Sequence, residues 1–171
     1  MSQDEKRFYH ILRWQDEIQD IQAQYPLRND LVDEIIKDLE ESEYFKPDPF
    51  DDNREPLTTD FFCTMRDGTY RAYQVKDNPE DVSSLSDERR VYIEKLYFKS
   101  LGIPWRLIFA EDIDIAYADN IKSAVRYYDE KNAHDYISKY KHLVATKQID
   151  IDLRHGLVDW TANAKAFFGK K

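Results

Sequence analysis

The fold is decided by residues 57–76, which read Leu57-Thr-Thr-Asp-Phe-Phe-Cys-Thr-Met65, Arg66-Asp-Gly-Thr69 and Tyr70-Arg-Ala-Tyr-Gln-Val-Lys76. Two runs rich in Thr, Phe, Tyr and Val, which favour β-strands, flank an Asp67-Gly68 pair. This pair is the strongest short-range signal for a hairpin with a two-residue turn. The stretch therefore predicts two antiparallel strands joined by a tight turn.

Polar side chains interrupt both strands of this hairpin. Because side chains alternate between the faces of a strand, Gln74 and Lys76 point the same way. Asp60 shares its face with Phe62 and Thr64 for the same reason. The hairpin can therefore bring a carboxylate, an amide and an ammonium group together on one face. Burial of such groups costs free energy unless they pair or hold a metal ion, so we expect a chemical site here.

The composition is that of a soluble globular protein. The chain has 171 residues, 42% hydrophobic and 35% charged, which suffices for one domain with a sizeable core, with room for a small appendage. It contains no apolar run long enough to cross a bilayer and no signal-peptide core near the N-terminus. Cys63, the single cysteine, excludes a disulfide within the chain and is best explained by packing. We expect a protein of a reducing, cytoplasmic compartment.

The formal net charge of −9 limits the partners that the chain can bind alone. A protein that grips DNA unaided usually presents a basic face to the phosphates. The acidic balance therefore argues against strong autonomous DNA binding. It leaves open chemistry on DNA that a partner delivers.

Helical periodicity predicts elements before and after the hairpin. Apolar residues predict a first helix over 4–21 and a second around 31–39, with a Pro-rich surface loop over 46–56. Glu5 projects from the apolar stripe of the first helix. From its position alone, a first-turn carboxylate favoured by the helix dipole is the better explanation.

The second half of the chain predicts a crossover and a helical end. A helix over 85–101 has Ser84 and Asp87 at capping-box spacing and Gly102 at its end. The apolar run 103–109 then predicts a strand that pairs in parallel with the hairpin. Beyond Ala116 we expect two helices, a short strand over 148–153 and a last helix over 157–168. The fold class is therefore α/β, with a mostly helical C-terminal part.

The order Asp60, Gln74-Val75-Lys76 suits metal-assisted phosphodiester hydrolysis. Mg²⁺ prefers oxygen ligands, which Asp60, the Gln74 side chain and the Val75 carbonyl would supply, with Glu5 as a second carboxylate. Lys76 would orient the attacking water and stabilise developing negative charge. On spacing alone, the solvated face of an ordinary sheet explains these residues better.

A set of motifs distributed over residues 2–115 changes this balance. In chain order they are Ser2-Gln-Asp-Glu5, Phe8 … Leu12-Arg-Trp14, Asp20-Ile-Gln-Ala-Gln24-Tyr-Pro-Leu27, Thr58-Thr-Asp60-Phe61, Gln74-Val75-Lys76 and Glu94 … Tyr97 … Ile103-Pro104-Trp105. As a set, they resemble the TnsA endonucleases of transposons that use a two-part transposase.

The resemblance implies a PD-(D/E)xK core, similar to restriction endonucleases, over residues 1–115. It implies that Glu5, Asp60 and Lys76 are catalytic and that Mg²⁺, with Mn²⁺ as a substitute, is held by Glu5, Asp60, Gln74 and Val75. Such an enzyme cuts the 5′ ends of the transposon, while a partner transposase subunit cuts and joins the 3′ ends. The expected setting is the prokaryotic cytoplasm, at the nucleoid when assembled on DNA.

Further roles follow from the same resemblance. Glu94 matches an acidic position of the family, although an ordinary surface carboxylate on a helix explains it at least as well. Gln24 recurs in the family's signature, and packing or capping at the turn between helix and strand explains it equally well. Residues 116–171 would be a reduced form of the winged-helix-like extension through which longer relatives contact a regulatory ATPase. Two alternatives stay open: a non-catalytic assembly subunit that activates a partner transposase, and a stand-alone phage or defence nuclease with the same core.

Overall fold

The computed structural model describes residues 1–42, 56–82 and 85–169. Within them, the helices are α1 (Gln3–Trp14), α2 (Asn29–Glu41), α3 (Leu85–Ser100), α4 (Ile115–Val125), α5 (Tyr136–Ala145) and α6 (Trp160–Phe168). The strands are β1 (Ile18–Pro26), β2 (Thr58–Met65), β3 (Tyr70–Lys76) and β4 (Trp105–Phe109). None of the helices in this part of the chain is both long enough and apolar enough to cross a bilayer. Residues 46–55 of the predicted loop lie outside these ranges, and so does Ser84 of the predicted cap.

The protein is an α/β protein whose four strands form one mixed sheet in the order β1-β2-β3-β4. β1 and β2 are antiparallel, as are β2 and β3, whereas β3 and β4 are parallel. The parallel pair needs a crossover, which α3 provides. The predicted hairpin, crossover helix and parallel strand are therefore confirmed.

The chain divides into two compact units. The sheet unit is Gln15–Asp112, and the helical unit combines Met1–Trp14 with Ile113–Lys171. The predicted domain boundary after residue 115 lies close to the structural division at Ile113. α1, which the sequence assigns to the first domain, belongs to the helical unit because it packs against α4.

The hairpin turn differs from the prediction of two residues. The Gly68 N–H donates to the Met65 carbonyl, and the Met65 N–H donates to the Thr69 carbonyl, which closes a three-residue loop. Gly68 has φ of 82°, a value that suits a residue without a side chain. A type I turn followed by a left-handed glycine forms this bulged loop, and the Asp67 carboxylate completes it by accepting from the Thr69 N–H.

The prediction of helix over 4–21 is wrong after Trp14. The helix ends there, and β1 begins at Ile18 and pairs antiparallel with β2. Ile18 lies at helical spacing from Ile11, and this spacing carried the predicted helix past its end. Pairing with β2, a segment about forty residues away in the chain, decided the conformation.

The core of the sheet unit lies between the sheet and the helices α2 and α3, which both confirm their predictions. Its buried side chains are Leu27, Val32, Ile35, Ile36, Leu39, Leu57, Phe62, Ala72, Ile93, Tyr97 and Phe98. Cys63 is completely buried, and this burial raises the pKa of its thiol to about 12. The thiol is therefore packed and unreactive, as predicted.

The predicted strand over 148–153 is wrong, because this segment has no strand partner and is irregular. Its alternation is nevertheless real: Ile149, Ile151 and Leu153 all pack into the core of the helical unit. Asn120, on α4, supplies hydrogen bonds to the backbone here in place of a partner strand. Its side-chain amide donates to the carbonyls of Leu153 and Gly156, at 2.8 Å each, and its oxygen accepts from the backbone N–H of Val158.

Replacement of Asn120 by alanine is expected to destabilise the protein by about 2 to 4 kcal/mol. The side chain is only 2% exposed, so its removal leaves buried backbone groups without partners. Urea unfolding measures the change. Asn163→Ala is the matched control, because Asn163 makes an exposed hydrogen bond to the Asp159 carbonyl. An Asn120→Ala stability within 0.5 kcal/mol (about the effect of an ordinary surface substitution) of the control would contradict this role.

Candidate functional site

The candidate site lies where β2 and β3 separate. Their ladder runs from Thr64↔Tyr70 to Phe61↔Tyr73, whereas β3 continues its parallel pairing with β4 as far as Lys76. Beyond the ladder, side chains take over the backbone hydrogen bonds. The Asp60 N–H donates to Gln74 Oε1 at 3.2 Å, and the Val75 N–H donates to Asp60 Oδ2 at 2.7 Å.

The Asp60 carboxylate is held from two neighbouring strands. Its residue is 6% exposed. Oδ2 accepts from Val75 on β3, and Oδ1 accepts from Gln24 Nε2 on β1 at 2.9 Å. These two hydrogen bonds, one to each oxygen, fix the rotation of the carboxylate. This fixed orientation suits a carboxylate that binds a cation.

Glu94 is a second buried acid in the sheet unit. It lies on α3, is 5% exposed and accepts from Trp105 Nε1 at 2.7 Å. Burial raises the pKa of Glu94 to about 7; hydrogen bonds from Thr59 and Trp105 oppose this rise, the charge of Asp60 adds to it and that of Lys76 opposes it. Glu94 therefore exchanges a proton near neutral pH, within the electrostatic field of Asp60 and Lys76.

Thr59 connects the Glu94 carboxyl group to the sheet. Its hydroxyl group donates to the buried carbonyl of Tyr73 at 3.1 Å. A hydroxyl group has one proton, so Thr59 can donate either to this carbonyl or to the Glu94 carboxylate. Donation to Glu94 stabilises its charged form, so this contact opposes the rise of the Glu94 pKa that burial causes.

Lys76 is the last residue of β3 and is half-buried. Its charge lowers the pKa of Glu94, which places the ammonium group within the field of that acid. The sheet unit thus combines a held carboxylate, an acid that titrates near neutrality and a cation. These are the groups that general acid–base and electrostatic catalysis require.

The sequence-predicted residues fall into both units. The sheet unit contains Gln24, Asp60, Gln74, Val75, Lys76 and Glu94. Among them, the amide oxygen of Gln74 accepts from Asp60, and Val75 contributes its N–H to the same residue; a role of the Val75 carbonyl as a metal ligand stays a prediction.

Glu5 lies on α1, in the helical unit. Its backbone N–H donates to Ser2 Oγ at 3.1 Å, which is the cap hydrogen bond of a helix start. Its carboxylate is 3.8 Å from the amino group of Met1, and the side chain is 17% exposed. The role of Glu5 as a ligand stays a prediction from the resemblance.

The donor set was tested for its fit to Mg²⁺. Across residues 1–42, 56–82 and 85–169, no three or more His, Cys, Asp or Glu side chains are grouped to hold a metal ion. Mg²⁺ is often bound through one or two carboxylates and several waters, so Asp60 with the neutral oxygen of Gln74 fits this ion. The set does not fit zinc, which prefers four nitrogen or sulfur ligands.

Sequence reasoning missed Thr59 and the hydrogen bond from the Trp105 indole. A signal for the buried acid was present: Glu94 directly follows Ile93 and precedes Tyr97 by three residues, and both neighbours are buried. A carboxylate at that helical position faces the core. A nearby indole N–H, such as that of Trp105, is then the donor that an acid of this kind requires.

Comparisons with known proteins add no family assignment. A scan against protein-family models finds no model that matches the chain, and a search of curated proteins finds no matching relative. The likeness to TnsA endonucleases therefore rests on the motifs in the sequence.

Proposed function

We propose that this chain is a Mg²⁺-dependent DNA endonuclease of the TnsA type, which cuts the 5′ ends of a transposon as one subunit of a heteromeric transposase. The observation that carries the proposal is the buried Asp60 carboxylate, held by Gln24 and Val75. The charges of Asp60 and Lys76 both act on the pKa of the buried Glu94. An ordinary solvated sheet face would place neither a buried carboxylate nor a buried acid there.

The topology supports the finer fold that we propose, a restriction-endonuclease-like core. An antiparallel hairpin precedes a crossover helix and a parallel strand, and the polar residues gather where β2 and β3 diverge. This arrangement agrees with the order Asp60, Gln74-Val75-Lys76 in the resemblance, because a single hairpin supplies all four residues.

Each residue of the site has a chemical task in this proposal. Asp60 and Gln74 would hold the metal ion, which when bound supplies charge neutralisation at the scissile phosphate and lowers the pKa of water. Gln24 and Val75 keep the Asp60 oxygens oriented. Lys76 stabilises negative charge as it develops on the phosphate.

Glu94 and Glu5 have separate tasks. Because its pKa is raised to about 7, Glu94 can accept or release a proton at neutral pH through its own carboxyl oxygen. Glu5 would add a second carboxylate, as the resemblance implies.

The distribution of charge favours delivery of DNA by a partner. Residues 15–112 contain 24 acidic and 12 basic residues, so the sheet unit repels the phosphate backbone at long range. We therefore propose a partner transposase subunit, and a regulatory ATPase that loads it, as the proteins that bring the transposon end. The purified chain alone is expected to cut DNA poorly.

The proposed function predicts metal-dependent cutting that requires Lys76. The wild-type chain, assembled with its transposase partner, is expected to cut the 5′ strand of a transposon end in Mg²⁺ or Mn²⁺ and to stop in EDTA. Lys76→Met is expected to slow cutting by about 10²- to 10³-fold, because a positive charge at the phosphate is lost. End-labelled DNA resolved on a denaturing gel measures the rate.

Lys95→Met is the matched control, because Lys95 is an exposed lysine on α3. Cutting by Lys76→Met at the rate of this control would contradict the proposal, as would a wild-type chain that neither binds Mn²⁺ nor cuts in the assembly. Efficient cleavage of naked DNA by the purified chain would instead indicate a stand-alone nuclease.

One observation favours a second function, that of a non-catalytic assembly subunit. In the portion of the chain described by the structure, no three acidic, histidine or cysteine side chains gather at one point. A scaffold with a nuclease fold would need no such group of metal ligands. Transposition products that are unchanged by substitution of Asp60 would select this function.

A further inference from the structure

Gln24 has a backbone conformation that its position in β1 does not require. Its φ is 52°, in the left-handed region that residues with a side chain rarely adopt. The pairing of β1 with β2 keeps one register on both sides of it, from Ala23↔Phe61 to Tyr25↔Thr59. The unusual conformation therefore does not serve to shift the register or to form a turn.

Lys147 provides an internal comparison. It is the other non-glycine residue with positive φ in the described ranges, and it follows the end of α5, where its N–H donates to the Val144 carbonyl. A left-handed residue at such a place ends a helix in the usual way. Gln24, in the interior of a paired strand, has no such explanation.

The Gln24 side chain shows what the conformation achieves. Nε2 donates to Asp60 Oδ1 at 2.9 Å, and the amide oxygen faces the Thr58 hydroxyl group at 3.5 Å. The amide orientation is chemically determined, because a carboxylate accepts hydrogen bonds and only the NH₂ group can donate. Backbone strain of this kind persists where the surroundings hold it, and it concentrates at functional sites.

We propose that Gln24 is a positioning residue for Asp60, an inference that rests on the proposed function. Gln24 holds Oδ1 while the Val75 N–H holds Oδ2, so the carboxylate keeps one rotation with respect to a divalent cation. Gln24 itself does not touch the cation.

The chemistry of the amide suits this task. A lysine or arginine at position 24 would neutralise Asp60 and repel the cation. A glutamate would repel Asp60 and offer no donor. A neutral amide donates one hydrogen bond and leaves the full charge of the carboxylate available. Asparagine carries the same group on a side chain one methylene shorter, so its amide falls short of Oδ1.

A substitution series separates positioning from stability. Gln24→Gly removes the amide and also relieves the backbone strain, so the folded protein is expected to be at least as resistant to urea as the wild type. Gln24→Asn tolerates positive φ but loses the contact. Gln24→Ala loses the contact and retains the strain. Gln22→Ala, at an exposed glutamine of the same strand, is the matched control.

The test measures Mn²⁺ affinity by titration calorimetry, urea midpoints and 5′-strand cutting in the assembled system. Gln24→Gly is expected to weaken Mn²⁺ binding by about 10- to 100-fold, the usual effect of losing a residue that orients a ligand, with an equal or higher urea midpoint. Gln22→Ala is expected to match the wild type in Mn²⁺ affinity.

The outcomes distinguish the inference from the function beneath it. If Asp60→Asn abolishes Mn²⁺ binding while Gln24→Gly leaves the affinity and cutting unchanged, the positioning role is overturned and the proposed function stands. If affinity falls only in variants whose urea midpoint also falls, Gln24 is structural and the inference fails. If neither the wild type nor Gln22→Ala binds Mn²⁺ or cuts, both are overturned.

Discussion

Replacement of Asp60 by asparagine is expected to abolish detectable 5′-strand cutting by the assembled proteins. The substitution removes the negative charge and also inserts an NH₂ group between two donors, Gln24 Nε2 and the Val75 N–H. One of these hydrogen bonds must be lost, and a cation held by Asp60 and Gln74 would lose the charged ligand of that pair. Because the side chain keeps its size, the fold is expected to persist with a loss of about 1 to 3 kcal/mol from the unpaired donor.

Asp67→Asn is the control for this substitution. Asp67 is an exposed carboxylate on the same hairpin, and it accepts from Thr69 in the turn, which an asparagine oxygen also does. Denaturing gels measure cutting and urea titration measures folding for both variants. Cutting by folded Asp60→Asn at the rate of Asp67→Asn would exclude a catalytic site here and favour the non-catalytic assembly subunit.

The free energy of unfolding is expected to fall as the pH rises from about 4.5 to about 7, through the titration of Glu94. The folded protein holds this proton up to about pH 7, whereas the ordinary pKa is 4.5. In this range the folded state binds more protons than the unfolded state, so each rise in pH favours unfolding. One pKa unit corresponds to about 1.4 kcal/mol, and the whole contribution amounts to about 3 kcal/mol.

Glu94→Gln isolates this contribution. A glutamine resembles the protonated acid: its oxygen can accept from Trp105 Nε1 and its NH₂ group can donate to Thr59. The variant is therefore expected to match the wild type near pH 4.5 and to exceed its stability above pH 7. Urea titrations at several pH values measure the stability of both proteins. The difference between them at each pH cancels the contribution of all other titrating groups.

Glu88→Gln, at an exposed acid of α3, is expected to retain the wild-type pH profile. A constant stability difference between Glu94→Gln and the wild type from pH 4.5 to 8 would show that Glu94 is not a buried acid. Loss of cutting above pH 7 in the wild type but not in Glu94→Gln would further indicate that the neutral form of this group supports the reaction.

The success of sequence reasoning depended on whether a pattern had one structural explanation. The hairpin was predictable because strand-forming runs on both sides of a glycine turn allow little else. α2 followed from its periodicity, and α3 from the capping-box spacing at its start and Gly102 at its end. The first helix was extended too far because Ile18 lies at helical spacing from Ile11. Residues 148–153 were assigned to a strand because their alternation indicates one buried face. A strand also needs a partner strand, and here the Asn120 side chain makes hydrogen bonds to the backbone instead.

The sequence by itself determined that residues 58–65 and 70–76 form a hairpin. The register that brings Asp60 to Gln74 depends on the three-residue loop, because the predicted two-residue turn would shift the pairing by one residue and turn Asp60 to the other face. Only the tertiary structure decided the rest of the site. The Gln24 amide reaches Asp60 across 36 residues, through strand pairing that no local pattern announces. The pKa of Glu94 is set by the burial of this residue on α3 and by its hydrogen bond with the Trp105 indole, because desolvation depends on every element that packs around a group.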